Sequence, residues 1–137
     1  MSQPILLDTC ALIWLVDEGR IAAAAEAALE AAQDQPGGVV VSPISAWEIG
    51  RLAARGRIRL GLEPRDWFQR ALDAGLVLAP MPPELLIAAS FLPENALRDP
   101  ADRIMAATAR AFRYRLMTRD RPLLDFGAAG HLEAIAC

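Results

Sequence analysis

The chain has 137 residues, of which 54% are hydrophobic and 23% charged, enough for one domain with a core and too little for two. A mean hydropathy of +0.25 excludes a disordered chain, and no run of about 18 or more apolar residues is present to span a bilayer. All fourteen cations are Arg and there is one His, His131, so lysine chemistry is excluded and histidine-based triads or polyhistidine metal sites are disfavoured.

The opening residues, MSQPILLD, have neither the basic flank nor the apolar run of a secretion signal, and two cysteines, Cys10 and Cys137, make no disulfide framework. A reducing cytoplasm is the expected compartment, with no membrane partner. Net charge is −3, unevenly placed. Residues 1–50 hold one Arg against seven acids, a balance of −6, and residues 51–137 hold 13 Arg against 10 acids, or +3. A catalyst built from these residues would work through carboxylates.

Pro4 to Asp8 is short, apolar and ends on an acid, as a buried strand does at a sheet's edge. Helices are expected over Thr9–Val16 and Ile21–Gln33, the second stopped by Pro36, Gly37 and Gly38. Val39–Val41 reads as a strand covered on both faces, and Ser42-Pro43 as the cap and first residue of a helix to about Arg55. Pro64 opens a helix with Trp67, Phe68, Ala71 and Leu72 on one face, ended by Gly75. Leu76–Ala79 is a third strand, a helix runs from Pro82-Pro83 to about Phe91, and 92–98 is loop. Asp99-Pro100 caps a helix over Ala101–Phe112, Arg115–Thr118 is a fourth strand, Asp120 begins a turn or short helix, and Leu132–Ala136 is a fifth strand. Strands alternating with helices specify an α/β fold: a central, mainly parallel sheet of about five strands flanked by helices, in a single domain over 1–137.

In such sheets, sites form outside the carboxyl ends of the strands. Asp8, Glu48, Asp99, Asp102 and Asp120 all belong near that rim. Carboxylates brought together must take up protons or bind a cation, and hard oxygen ligands favour Mg²⁺ or Mn²⁺. The chemistry so implied is metal-assisted hydrolysis of a phosphate ester. Each acid also has a structural role open to it: Asp8, Asp99 and Asp102 at helix starts, Glu48 paired with Arg51, and Asp120 in a turn.

Four blocks, LLDTCALIWL, VSPISAWEIGRLAARGRIRL, LRDPADRIMAATARA and LMTRD, resemble in this order the PIN domain, and most closely the VapC toxins of bacterial type II toxin-antitoxin pairs. The resemblance covers Ile5 to about Asp120 and implies an Mg²⁺- or Mn²⁺-dependent endoribonuclease with Asp8, Glu48, Asp102 and Asp120 as catalytic acids and metal ligands, and Asp99 as a fifth, additional acid. It further implies RNA as substrate, cut to leave a 3′-hydroxyl and a 5′-phosphate, a VapB-like antitoxin partner, and a homodimer. Relatives often carry His where Cys10 stands; Cys10 itself reads as a small buried helix residue.

Arg51, Arg55, Arg98, Arg119 and Arg121 are candidates for holding an RNA backbone, with Arg103 also beside the acids; salt bridging to those acids is the competing reading, above all for Arg103 and Arg51. Trp14, Trp47, Trp67, Phe68 and Phe91 are expected in the core, leaving no aromatic platform for bases. The alanine-rich second helix and the helix carrying Trp47 are the expected anchor surfaces for an antitoxin. The alternative function is a non-catalytic PIN-fold module binding RNA or protein. A haloacid-dehalogenase-like phosphatase, suggested by the strand ending in Asp-Thr, lacks its second acid, since Cys10 stands there, and its Lys.

Overall fold

The computed structural model describes residues 3–17 and 19–137; Met1 and Ser2, which open the N-terminal reading above, and Glu18, one of the seven acids, lie outside the described residues. Five strands, β1 (Ile5–Leu7), β2 (Val39–Val41), β3 (Val77–Leu78), β4 (Arg115–Thr118) and β5 (Glu133–Ala136), form one parallel sheet in the order β3-β2-β1-β4-β5. Seven helices accompany them: α1 (Thr9–Val16), α2 (Ala23–Gln33), α3 (Pro43–Ala54), α4 (Pro64–Asp73), α5 (Pro83–Ser90), α6 (Pro100–Phe112) and α7 (Arg121–Ala128). The α/β class and every expected strand are borne out.

Alternation along the central strands divides the core into two layers. Ile5, Leu7, Val39, Val41 and Met117 face Leu12 of α1, Leu29 of α2, Ile49 of α3 and Trp67 of α4. Leu6, Val40 and Leu116 face Met105 and Ala106 of α6 and Leu123 and Phe126 of α7. β1 is wholly buried because helices cover both its faces and β2 and β4 flank it, in register Leu6↔Val40 and Leu6↔Leu116. That central position puts the residue after β1, Asp8, under the middle of the carboxyl edge.

Several boundaries differ from the sequence reading. α2 begins at Ala23 rather than Ile21, on an Ala22 N-cap whose side chain can accept no hydrogen bond. β3 has two strand residues, both exposed, because it pairs only with β2 and forms the sheet's edge; Ala79 donates one further bond to the Val41 carbonyl at 2.7 Å. Asp120 opens a full helix, α7, where a turn was an open alternative. Trp47 and Phe91 are not core residues: they are 51% and 84% exposed, on helix flanks that no second layer covers.

Arg103 makes no salt bridge to the acids. Its guanidinium donates to the carbonyls of Leu97 (2.7 Å), Ser90 (3.0 Å) and Leu92 (2.6 Å), tying the loop between α5 and α6 to the helix that bears Asp102. No described helix is long and apolar enough to cross a membrane.

Two backbone positions generate predictions. A Cβ at Gly38 would lie 1.8 Å from the Ala32 carbonyl oxygen, so Gly38→Ala should cost about 2–4 kcal/mol, read as a lower urea midpoint. Arg113 ends α6 in the left-handed region, at φ 57°, a conformation costly for any residue with a Cβ. Arg113→Gly is expected to stabilise by about 1 kcal/mol with an unchanged denaturant slope.

Candidate active site

Asp8 leaves β1 and caps α1. One carboxylate oxygen accepts from the Ala11 backbone N–H at 2.8 Å, the other from the Thr118 hydroxyl. The side chain is 7% exposed and cannot swing out without losing both donors. Thr118 closes β4 and also accepts from the Asp120 backbone N–H at 3.0 Å, so one hydroxyl couples the acid after β1 to the acid after β4.

Asp120 caps α7 through Leu123 N–H, at a long 3.4 Å. Ser42 caps α3 in the strand-to-helix turn after β2, bringing Ser45 and Glu48 into the first two turns. Glu48 accepts from the Thr9 hydroxyl, which also shares a hydrogen bond of 3.0 Å with Ser45. Asp99 caps α6 through the N–H groups of Ala101 (2.8 Å) and Asp102 (3.3 Å), which places Asp102 at the third helical position. The capping reading of Asp8 and Asp99 is therefore correct, Asp102 follows its cap in the first turn of α6, and Asp120, read from the sequence as a turn residue, caps α7 as well; capping does not compete with a role in the cluster. A cap uses one carboxylate oxygen, and three helix N-termini meeting at one edge bring their caps together.

Burial and the mutual charge of these acids act on their pKa values in one direction, upward. Asp102 is pushed up to about 8, first by desolvation and then by the charges of Asp120, Asp99 and Glu48. Burial raises Glu48, helped by Asp99 and Asp8 and opposed by the Thr9 hydroxyl and by Arg51. Burial also raises Asp8, with Asp120 adding to it, against the bonds from Thr118 and Ala11. The acids are thus driven towards taking up protons, and no bonded cation relieves them: among the described residues the one salt bridge is Arg121 to Asp125, 3.9 Å long and solvent-exposed.

Among the described residues no three His, Cys, Asp or Glu side chains are arranged to grip a metal ion as they stand. In donor chemistry the residues do fit one: every candidate ligand is a carboxylate oxygen, a hard donor suited to Mg²⁺ or Mn²⁺, and a divalent cation would relieve the repulsion that raises Asp102.

Cys10 is exposed, contrary to the expectation of a buried helix residue. Desolvation, then the charges of Asp8 and Glu48, push its thiol up to about 11, so a reactive thiolate is disfavoured there. The arginines divide by partner. Arg51 packs on the exposed Trp47 ring, its guanidinium carbon 4.7 Å from the centroid. Arg51 and Arg55 line an open cleft of about 300 Å³ with Glu48, Asp99, Leu52 and Arg57. Arg98 lines a larger depression, about 580 Å³, with Glu94, Asn95, Leu97 and Arg103. Arg119 lies over Trp14, 3.3 Å from the ring centroid, and donates to the Arg20 carbonyl. Arg121 is engaged by Asp125.

Sequence reasoning did not single out the hydroxyls of Thr9, Ser45 and Thr118 or the guanidinium of Arg57. The three hydroxyls are buried polar groups directly beside acids in chain or helix spacing, which is the one signal that could have marked them.

Residues 5–128 match the PIN domain family, and the chain belongs to it. It is 33% identical over 120 residues to Ribonuclease VapC22 of Mycobacterium tuberculosis (strain ATCC 25618 / H37Rv), covering 87% of this chain and 88% of that protein. Its fold is similar to VapBC2 from Rickettsia felis bound to a promoter DNA fragment, with a TM-score of 0.66 and 14% identity over 96% of this chain and 97% of that one. It is similar also to a toxin-antitoxin complex from Klebsiella pneumoniae, with a TM-score of 0.62 and 23% identity over 96% and 95%. The resemblance to VapC-like PIN proteins is therefore borne out, and so is the parallel sheet flanked by helices.

A stability measurement tests the crowding of the acids. Asp102 binds its proton more tightly in the folded chain than at its ordinary value of 3.8, so the folded state loses stability as pH rises from 4 towards 8. In EDTA, Asp102→Asn should melt roughly 3–8 °C above wild type at pH 8, with the difference shrinking towards pH 4. A variant no more stable than wild type at pH 8 would show that Asp102 is not crowded.

Proposed function

We propose that this protein is a metal-dependent endoribonuclease, the toxin of a type II toxin-antitoxin pair, which hydrolyses RNA phosphodiester bonds at the Asp8, Glu48, Asp102 and Asp120 cluster and is held inactive by a VapB-like antitoxin. The observation that carries the reading is the convergence of those acids at the carboxyl edge of a parallel sheet in a chain without lysine and with one histidine. The likeness to a VapC ribonuclease over most of both chains supports RNA as substrate, and the toxin-antitoxin assemblies of similar fold support an antitoxin partner.

Asp8, Asp102 and Asp120 would hold Mg²⁺ or Mn²⁺, with Glu48 as a further ligand or water-orienting base and Asp99, already committed to its cap, as a fifth. Such a cation supplies charge stabilisation at the phosphate and lowers the pKa of a bound water. Asp8 contributes rigidity, since Ala11 N–H and the Thr118 hydroxyl fix both its oxygens. Glu48, held by Thr9 and raised by burial, is suited to take a proton from the attacking water. Water oxygen bonds to phosphorus as the P–O3′ bond breaks and the leaving oxygen is protonated, giving a 3′-hydroxyl and a 5′-phosphate. We assign the chain to the cytoplasm on the same family grounds, and a homodimer accords with the base rate for soluble proteins.

The test is cleavage of a mixed RNA pool by partner-free wild type, Asp8→Asn and Asp102→Asn, each in EDTA, Mg²⁺ or Mn²⁺. Wild type should cut only with metal, and each variant should lose on the order of 10²–10³-fold in rate while staying folded. Full activity in either variant would refute the site, and no cleavage by folded, metal-binding wild type would favour the non-catalytic module.

A further inference from the structure

Trp47, Arg51 and Arg55 recur every four residues along one flank of α3, spanning about 12 Å of its axis, next to the face that carries Glu48. Trp47 is half exposed, with Arg51 packed on its ring. α3 then ends in a turn in which Gly56, at φ 68°, donates to the Ala53 carbonyl (3.0 Å) and Arg57 donates to the Leu52 carbonyl (2.8 Å). That double bond pattern folds the chain back and puts Arg57 in the cleft with Arg51 and Arg55. Glu48 and Asp99 line the same cleft. Three guanidiniums and an aromatic plane thus adjoin the acids, although the N-terminal part of the chain is strongly acidic.

From this juxtaposition we propose that Trp47, Arg51, Arg55 and Arg57 form the subsite for the single-stranded RNA flanking the cleaved bond, with a base stacked on Trp47 and backbone phosphates held by the three guanidiniums. The inference rests on the ribonuclease reading for its substrate class and names where that substrate lies. Guanidiniums fork to phosphate oxygens, and an exposed indole gives any base a stacking face, whereas paired bases offer none. An acidic peptide would match the arginines, but its carboxylate side chains have no flat ring to stack on the exposed Trp47.

The experiment measures binding and cleavage separately, on the partner-free chain and its Trp47→Leu, Arg55→Ala, Arg57→Ala and control Arg110→Ala variants, the control lying in the last turn of α6, each confirmed folded by its melting temperature. Binding of a fluorescent mixed-sequence RNA 12-mer is read by anisotropy across a salt series, with Ca²⁺ in place of Mg²⁺ to suppress turnover. Each Arg variant of the subsite should bind roughly 3–10-fold more weakly and lose about one unit of salt slope. Trp47→Leu should weaken binding by about 5-fold or more and abolish its share of the quenching of indole fluorescence by RNA, and Arg110→Ala should behave as wild type. In Mg²⁺, the subsite variants should show raised KM with little change in kcat.

Unchanged affinity, salt slope and KM in all three subsite variants would overturn the proposal. So would displacement of RNA by a poly-glutamate peptide whose own binding depends on Trp47 and the same arginines, which would give the surface to a protein partner. Absence of cleavage by wild type with the binding losses intact would overturn the ribonuclease reading and leave the RNA subsite standing.

Discussion

Like charge concentrated at one edge of a sheet, partly out of water, is the constraint on which the rest of this structure depends. Asp8 is buried, Asp102 is raised to about 8, and Glu48 is raised by the same desolvation and by its acidic neighbours. A fold can tolerate such a cluster only if its polar atoms are bonded and if something of opposite sign, fixed or transient, faces it. Here the fixed part comes from the backbone: α1, α6 and α7 begin at this edge, and their first N–H groups point at Asp8, Asp99 and Asp120. The capping bonds hold each carboxylate against the positive end of a helix dipole, so the acids complete their helices while remaining near one another.

Hydroxyl groups provide the lateral bracing. Thr118 joins Asp8 to the turn that presents Asp120, and Thr9 with Ser45 joins α1 to Glu48 on α3. None of the fully buried side-chain polar atoms of the described residues lacks a partner, and the donors to Asp8, Glu48, Asp99 and Asp120 are neutral hydroxyl and backbone N–H groups. Farther out, Arg103 holds the loop before α6 by three carbonyls, and the position of Asp99 and Asp102 follows from that clamp. Neutral donors thus stand next to the acids, and the guanidiniums of Arg51, Arg55 and Arg57 line the adjoining cleft with Glu48 and Asp99.

Much of this was legible from the chain. Ile5-Leu6-Leu7 and Val39-Val40-Val41 are continuous apolar runs because both faces of a central parallel strand are covered, and Ser42-Pro43 and Asp99-Pro100 announce helix starts by local capping chemistry. Since residues just after such strands, and those in the first turns of the helices that run back between them, lie at the carboxyl edge, Asp8, Glu48, Asp99, Asp102 and Asp120 could be chosen without knowing the strand order. The arginines were less legible. Sequence adjacency of Arg103 to Asp102 suggested an ion pair, yet the long side chain reaches backbone carbonyls of residues 90, 92 and 97 that only the folded loop brings within range.

The chain's own pattern therefore determined the element types, the parallel α/β class and the set of acids, because periodicity, β-branching, caps and glycine or proline stops act over a few residues. Tertiary structure alone decided the order β3-β2-β1-β4-β5, the two-residue exposed β3, and the exposure of Trp47, Phe91 and Cys10. An apolar side chain on an amphipathic helix is buried only if another layer covers its particular flank, and a guanidinium's partner is whichever acceptor its reach finds in space. Those are properties of packing between elements distant in sequence, and no local pattern encodes them.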